Sequence, residues 1–116
     1  MINKKTEMSK ALRANEVLFN LVDGRIFAAS ELHDYPSVTY FEVTNFDSQY
    51  SEDAPYASDI TMQVDVWSEG STTDIAVQVD KTMKQLGFFR SSASDLYEED
   101  TRIYHKAMRY KIREAF

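Results

Sequence analysis

The 116-residue chain contains no cysteine, only three glycines and only two prolines. Without cysteine it has no disulfide, no thiolate metal ligand and no cysteine nucleophile. The glycines stand far apart, at positions 24, 70 and 87, so the chain lacks the glycine-rich turns that bind phosphates or dinucleotides. These absences exclude thiol chemistry and the common nucleotide-binding motifs.

Long apolar runs are also lacking. No stretch approaches the roughly 18 apolar residues that a membrane-spanning helix needs. Charged and polar residues follow Met1 and Ile2, so we expect no signal peptide and no membrane partner. The absence of cysteine suits the reducing cytoplasm, where we expect the protein to be made.

The chain has no excess of positive charge. Its 13 lysines and arginines are outnumbered by 19 acidic residues, which gives a net charge of −6. Binding to nucleic acid depends mainly on neutralising phosphates with basic side chains, so we expect no specific nucleic acid partner. His105, Arg109, Lys111 and Arg113 share one strand parity, and we interpret them as the solvated outer face of a strand.

The first quarter of the chain has a helical pattern. Residues 2–22 carry apolar side chains at intervals of three and four, which is typical of an amphipathic helix. Asn15 is a candidate N-cap that would divide this run into two helices. Asp23 and Gly24 end it, and residues 25–28 predict a short strand.

The middle of the chain predicts a strand followed by a long connection. Residues 29–35 read as a loop that closes on Pro36, and residues 38–43 predict a strand because the position before a proline disfavours helix. Residues 45–57 are polar and contain Pro55, which is unfavourable in a continuous ladder. We therefore expect a long hairpin loop or flap there.

The second half predicts strand, helix and strand. Apolar and polar residues alternate over 60–67, and residues 68–73 then offer several hydroxyl N-caps. A helix over 72–86 follows, with Gly87 at the position of a C′ glycine. After a polar loop, the even-numbered residues of 104–112 line one side of a final strand.

These elements predict the fold class. The order is helix, short strand, strand, strand, helix, strand, which indicates an α+β protein with a mainly antiparallel sheet of about four strands and helices packed on it. With 43% hydrophobic residues, no internal repeat and no linker, residues 1–116 are expected to form a single domain.

Candidate catalytic and metal-binding residues are few. His33 and His105 lie far apart, and neither has a second ligand at a zinc-binding spacing. The acidic residues between Asp95 and Asp100 lack the central glycine of a calcium loop, so we interpret them as a solvated loop. No serine stands in a nucleophile elbow. We therefore predict no catalytic residue, no cofactor, no metal and no enzymatic activity.

The segment from Gln49 to Tyr56 favours contact with a partner. It places two tyrosines in an acidic region that has few local ways to stay ordered, and exposed aromatic residues are common in interfaces. Packing of Tyr56 onto the sheet is an equally good explanation of that ring. The candidate interface residues are Gln49, Tyr50, Ser51, Glu52, Asp53 and Tyr56.

Several short motifs, in their order and spacing, carry a resemblance to a known family. They are residues 24–26, Tyr35-Pro36, 64–68, 72–73, 79–80, 86–88, 95–97 and 103–110. Together they resemble the tail-completion proteins of long-tailed phages, the tail terminators or tail-to-head joining proteins of siphoviruses and of prophages of Gram-positive bacteria. The resemblance covers most of the chain from residue 17 onward and is weakest in the first helix.

The resemblance implies a structural protein of the virion, made in the bacterial host cytoplasm. Such a subunit forms a hexameric ring on the finished tail tube and presents a surface to the head connector. Its partners would be other copies of itself, the tail tube protein and the connector, while alone it would be a monomer or weak oligomer. The resemblance brings no cofactor, and it favours Trp67 and Tyr104 as core anchors. A small ferredoxin-like regulatory or ligand-binding module remains the alternative.

Overall fold

The computed structural model describes residues 1–29 and 34–116. Three helices and five strands lie within those ranges. In chain order they are α1 (Lys5–Ala14), α2 (Glu16–Leu21), β1 (Ile26–Ala28), β2 (Ser37–Ser51), β3 (Ala54–Ser68), α3 (Thr73–Gln85), β4 (Phe89–Glu98) and β5 (Ile103–Ala115).

The strands form one mixed sheet in the order β1-β2-β3-β5-β4. β1 pairs with β2 in parallel, and the other three pairings are antiparallel. β3 and β4 flank β5 and run parallel to each other, with α3 connecting them. The α+β class is confirmed, whereas the expected four-stranded order was wrong because β4 was interpreted as a loop.

The core lies between one face of the sheet and the three helices. The alternation over 60–67 is confirmed, because Ile60, Met62, Val64 and Val66 are all buried. The β5 side chains in register with Met62 and Val64 belong to Tyr110 and Met108. The remaining core residues are Met8, Leu12, Leu18, Val22, Ile26, Val38, Ile75, Ala76, Val79, Met83, Phe88 and Ile112.

Two helix boundaries follow the sequence signals. Asn15 separates α1 from α2, and its side chain accepts a hydrogen bond from the Leu18 amide at 3.1 Å. Gly87 ends α3 with a φ of +94°. The amides of Gly87 and Phe88 bond back to the carbonyls of Lys84 and Met83, which forms a Schellman motif.

The segment predicted as a long loop over 45–57 is a β-hairpin. β2 and β3 pair up to Ser51 and Ala54, and only Glu52 and Asp53 form the turn. Both turn residues have positive φ, 53° and 64°, as a type I′ turn requires. Pro55 pairs with Tyr50, next to the closing pair of the turn, where a residue's amide points away from the partner strand.

The segment between α3 and the last strand is β4, not a loop. All ten of its residues are exposed, so it has no apolar alternation to mark it as a strand. It contains Asp95 and Glu98 from the acidic cluster, and it forms one edge of the sheet. No helix within the described ranges is long and apolar enough to cross a membrane.

Candidate functional site

The face of the sheet opposite the helices, which we call the outer face, is the broadest candidate surface. Within the described ranges all three helices contribute to the core on the other face, and the outer face carries the odd-numbered residues of β3 and β5. The β2 and β4 residues in register with them include the exposed side chains of Phe41, Phe46, Phe89 and Leu96. The outer face therefore displays apolar groups on both sides of a polar centre.

The polar centre consists of pairs between β5 and β3. Arg113 Nε and Asp59 Oδ1 lie 2.6 Å apart, and Arg109 Nε donates to Gln63 at 3.1 Å. The hydrogen bond from Arg113 holds the pKa of the Asp59 carboxyl below its usual value. Arg109, Lys111 and Arg113 are exposed, as predicted for this parity, but β3 places an amide against Arg109 and a carboxylate against Arg113.

Trp67 lies on this outer face and is half-buried, so its expected place as an anchor of the core between sheet and helices was wrong. Its ring stacks on His105 with centroids 3.8 Å apart, and its Nε1 donates to Thr39 at 2.9 Å. His105 Nε2 lies 2.7 Å from Asp65 Oδ1. The odd parity of Trp67 and the polar partners beside it explain this position.

Tyr104 was also expected in the core, and that expectation was wrong. It is 47% exposed and packs against Tyr97 of β4, with ring centroids 4.7 Å apart. Its even parity agrees with the buried residues of β5, but it lies at the beginning of the strand, where the core has ended. Tyr104 therefore belongs to the surface beside the β4 edge.

A shallow groove of about 510 Å³ crosses the outer face. Phe46 of β2 and Phe89 of β4 contribute its exposed rings. The other residues that line it are Thr44, Asp59, Ile60, Thr61, Lys111, Ile112 and Arg113. Because the groove is shallow and its lining is mixed, it suits the side chains of another protein rather than a small substrate held on all sides.

The six interface residues predicted from the sequence lie together at the tip of the β2–β3 hairpin. Tyr50 is 64% exposed, and Ser51, Glu52 and Asp53 are also exposed. Positions 54–56 of β3 lie beyond the last strand pairing with β5, which ends at Ala57. The tip is therefore a two-stranded projection that carries aromatic and acidic side chains.

Gln49 and Tyr56 meet within this tip. The Tyr56 hydroxyl lies 3.5 Å from Gln49 Oε1, and the Tyr56 carbonyl accepts a hydrogen bond from the Phe116 amide at 2.9 Å. Tyr50 pairs with Pro55, one position away from Tyr56, so the two tyrosines project to opposite faces of the hairpin. The segment thus presents two separate aromatic contacts instead of one cluster.

The helix side holds β4 in place through Asp80 of α3. Its carboxylate accepts a hydrogen bond from the Tyr110 hydroxyl at 2.9 Å and lies 3.2 Å from Arg90 and 2.8 Å from Lys84. Burial alone would raise the pKa of Asp80, but the Lys84 and Tyr110 hydrogen bonds and the charge of Arg90 lower it. Burial and the Asp80 hydrogen bond both raise the pKa of Tyr110.

Within the ranges that the structure describes, no group of three or more His, Asp or Glu residues could hold a metal ion. His33 lies outside the described residues.

The exposed apolar residues of β4, namely Phe89, Leu96 and Tyr97, were not predicted from the sequence. A strand there could have been indicated by two signals. Gly87 ends the helix, and the ten residues that follow it contain no proline or glycine.

Comparisons with known proteins give one family. A family model described as Tail completion protein gp17 matches residues 6–115. A comparison with curated proteins finds no match. Among solved structures, a chain of the "Virion of native gene transfer agent (GTA) particle" is similar, with a TM-score of 0.67, 13% identity, and coverage of 94% of this chain and 92% of that chain. At that identity the likeness shows the fold alone.

Proposed function

This chain belongs to the Tail completion protein gp17 family, as the resemblance indicated, and from that premise we propose that it completes the phage tail at its junction with the head. The match over residues 6–115 carries the proposal, because it includes every strand and almost all of α1. A phage tail protein of this family is a structural component of the virion. We propose that residues 1–116 act as one domain with a structural and not a catalytic role.

In the proposed arrangement, copies of the chain form a ring of six on the last ring of the tail tube protein. The exposed side of that ring then receives the head connector. The purified subunit is a monomer or a weak oligomer, and the growing tail in the host cytoplasm supplies the template on which neighbours reach a high effective concentration. The proposal includes no cofactor, no membrane and no specific nucleic acid.

The hairpin tip is proposed to contact another protein of the junction. Gln49, Tyr50, Ser51, Glu52 and Asp53 project past the rest of the sheet, and Tyr56 adds a second ring. Aromatic side chains provide large contact area at small entropic cost, and the acidic pair at the turn favours a basic partner surface. Support for this role comes from exposure and shape.

Removal of the gene in a host strain that produces the particles tests the proposal. We expect full heads and separate tails in the lysate, seen by electron microscopy, and recovery of joined particles when the wild-type gene is supplied in trans. A variant with Tyr50→Ser and Tyr56→Ser should fold normally and fail to restore joining. Val17→Ser, which removes an equally exposed apolar side chain from α2, is the matched control and should restore it. Joined particles at normal titre in the absence of the gene would contradict the proposed function.

A further inference from the structure

The two edges of the sheet are open over most of their length in the described part of the chain. At one edge lies β4, with ten residues that are all exposed. At the other edge, β1 pairs only with positions 38–40 of β2, and no described strand lies beside positions 41–51 on that side. Open edges of this length are templates for pairing with another chain.

β4 has few of the features that usually prevent such pairing. It contains no proline and no lysine, and two of its three charged residues are paired within the chain, since Arg90 lies 3.2 Å from Asp80 and Asp95 lies 3.1 Å from Lys106, while Glu98 stands at its end. A bulge lies between Arg90 and Ser92, but the ladder continues regularly from Ser92 to Glu98. This regular part of β4 is an extended edge with free backbone groups on one side.

The directions of the two edge strands are compatible with each other. β4 is antiparallel to β5, β5 to β3, and β3 to β2, so β4 runs opposite to β2. If a second copy stands beside the first in the same orientation, β4 of one copy meets β2 of the next in antiparallel alignment. The regular antiparallel pattern of the sheet then continues from one copy to the next.

The side chains beside the two edges are also compatible. On the outer face, β4 carries Phe89 and Leu96, and β2 carries Phe41 and Phe46. All four are exposed in the single chain, with between 38% and 59% of their surface accessible. Pairing of the edges brings these apolar groups into one continuous patch, and cross-strand apolar pairs stabilise a sheet.

We infer that the β4 edge of one copy pairs with positions 41–51 of β2 in a second copy of this chain. Because the two edges differ, the contact is heterologous, and its repetition closes a ring when the rotation between neighbouring copies divides a full turn. The closure of a ring rests on the proposed function. The edge-to-edge contact is argued separately, from the open edges, the strand directions and the apolar residues beside them. The docking surface is therefore a sheet edge with its flanking apolar residues, and the partner is the chain itself.

Engineered disulfides test this contact, because the chain has no cysteine of its own. Within one copy β2 and β4 are separated by three strand spacings, about 14 Å, well beyond the roughly 7 Å between Cα atoms that a disulfide spans. Thr44→Cys on β2 is combined in turn with Ser92→Cys, Ser94→Cys and Leu96→Cys on the same face of β4. The full-length variants are oxidised at high protein concentration and separated on non-reducing gels.

We expect at least one combination to produce a ladder of covalent oligomers beyond the dimer. Thr44→Cys with Val77→Cys is the matched control, since Val77 is exposed on α3, away from both edges, and should give no such ladder. No ladder from any β4 combination, or an equal ladder from the control, would overturn the inference. If joining depends on the gene but no β4–β2 crosslinks form, the proposed function stands and the edge contact is wrong. If the crosslinks form but joining does not depend on the gene, the edge contact stands and the proposed function is wrong.

Discussion

Removal of the Tyr110 hydroxyl tests how α3 holds the edge of the sheet. Tyr110 is fully buried, and its hydroxyl donates to Asp80 at 2.9 Å. Hydrogen bonds to charged groups contribute about 1.5–3 kcal/mol. In Tyr110→Phe the ring still fills the core, and Lys84 and Arg90 still neutralise the Asp80 carboxylate. We therefore expect the free energy of unfolding to fall by an amount near the lower end of this range, about 1.5–2 kcal/mol at pH 7.

The loss should depend on pH in one direction. The folded pKa of Asp80 lies below its ordinary value of 3.8, so its stabilisation is fully present above that value and is lost as the pH falls through the folded pKa. The difference between wild type and Tyr110→Phe should therefore shrink in acid. Urea unfolding followed by circular dichroism at pH 7 and in acid measures both differences.

Tyr104→Phe is the matched control, because that ring is on the surface and no described group accepts a hydrogen bond from its hydroxyl. Its free energy of unfolding should stay within about 0.5 kcal/mol of wild type. The reasoning is refuted if Tyr110→Phe is equally neutral at pH 7, or if its loss is the same in acid.

Three further variants test other parts of the account. Gly87→Ala should destabilise by about 1–2 kcal/mol because an alanine is strained at a φ of +94°, whereas Gly70→Ala, at a glycine with open space around it, should be close to neutral. Trp67→Ala should cost about 2 kcal/mol, less than for a fully buried ring, and native tryptophan emission should lie between the buried and exposed extremes. Glu52→Asn with Asp53→Gly should raise the melting temperature slightly, because Asn-Gly suits the type I′ turn.

Each of these variants has an outcome that would count against the structure. A neutral Gly87→Ala would argue against the left-handed end of α3. Fully red-shifted emission, or a loss above about 4 kcal/mol in Trp67→Ala, would contradict a half-buried ring on the outer face. A clear fall in melting temperature for the turn variant would mean that residues 52 and 53 do not form the tight turn.

The sequence predicts those elements that have apolar periodicity or a specific cap. Alternation places the core face of β3 correctly, and Asn15 and Gly87 locate helix boundaries because each satisfies backbone groups that a helix end leaves free. The same reasoning identifies the α+β class. These signals are local, so they can be read without knowledge of the partner strands.

The errors arise where tertiary context decides the structure. β4 has no buried face, and its pairing with β5 is what makes it a strand. The hairpin tip over 49–56 is polar because it projects beyond the last pairing with β5, and Pro55 is tolerated because the backbone nitrogen at that position points away from β2. Trp67 was expected as a core anchor, although its parity placed it on the outer face. The edges that we propose as the contact between copies follow only from the sheet order.

A cryo-electron microscopy reconstruction of the particle neck is the most direct test of the central claim. The account predicts a ring of six copies of this fold between the last ring of the tail tube and the head connector. It further predicts that β4 of each copy lies beside β2 of the next. Density for this chain at the distal tail tip or in the capsid, with none at the junction, would contradict the account.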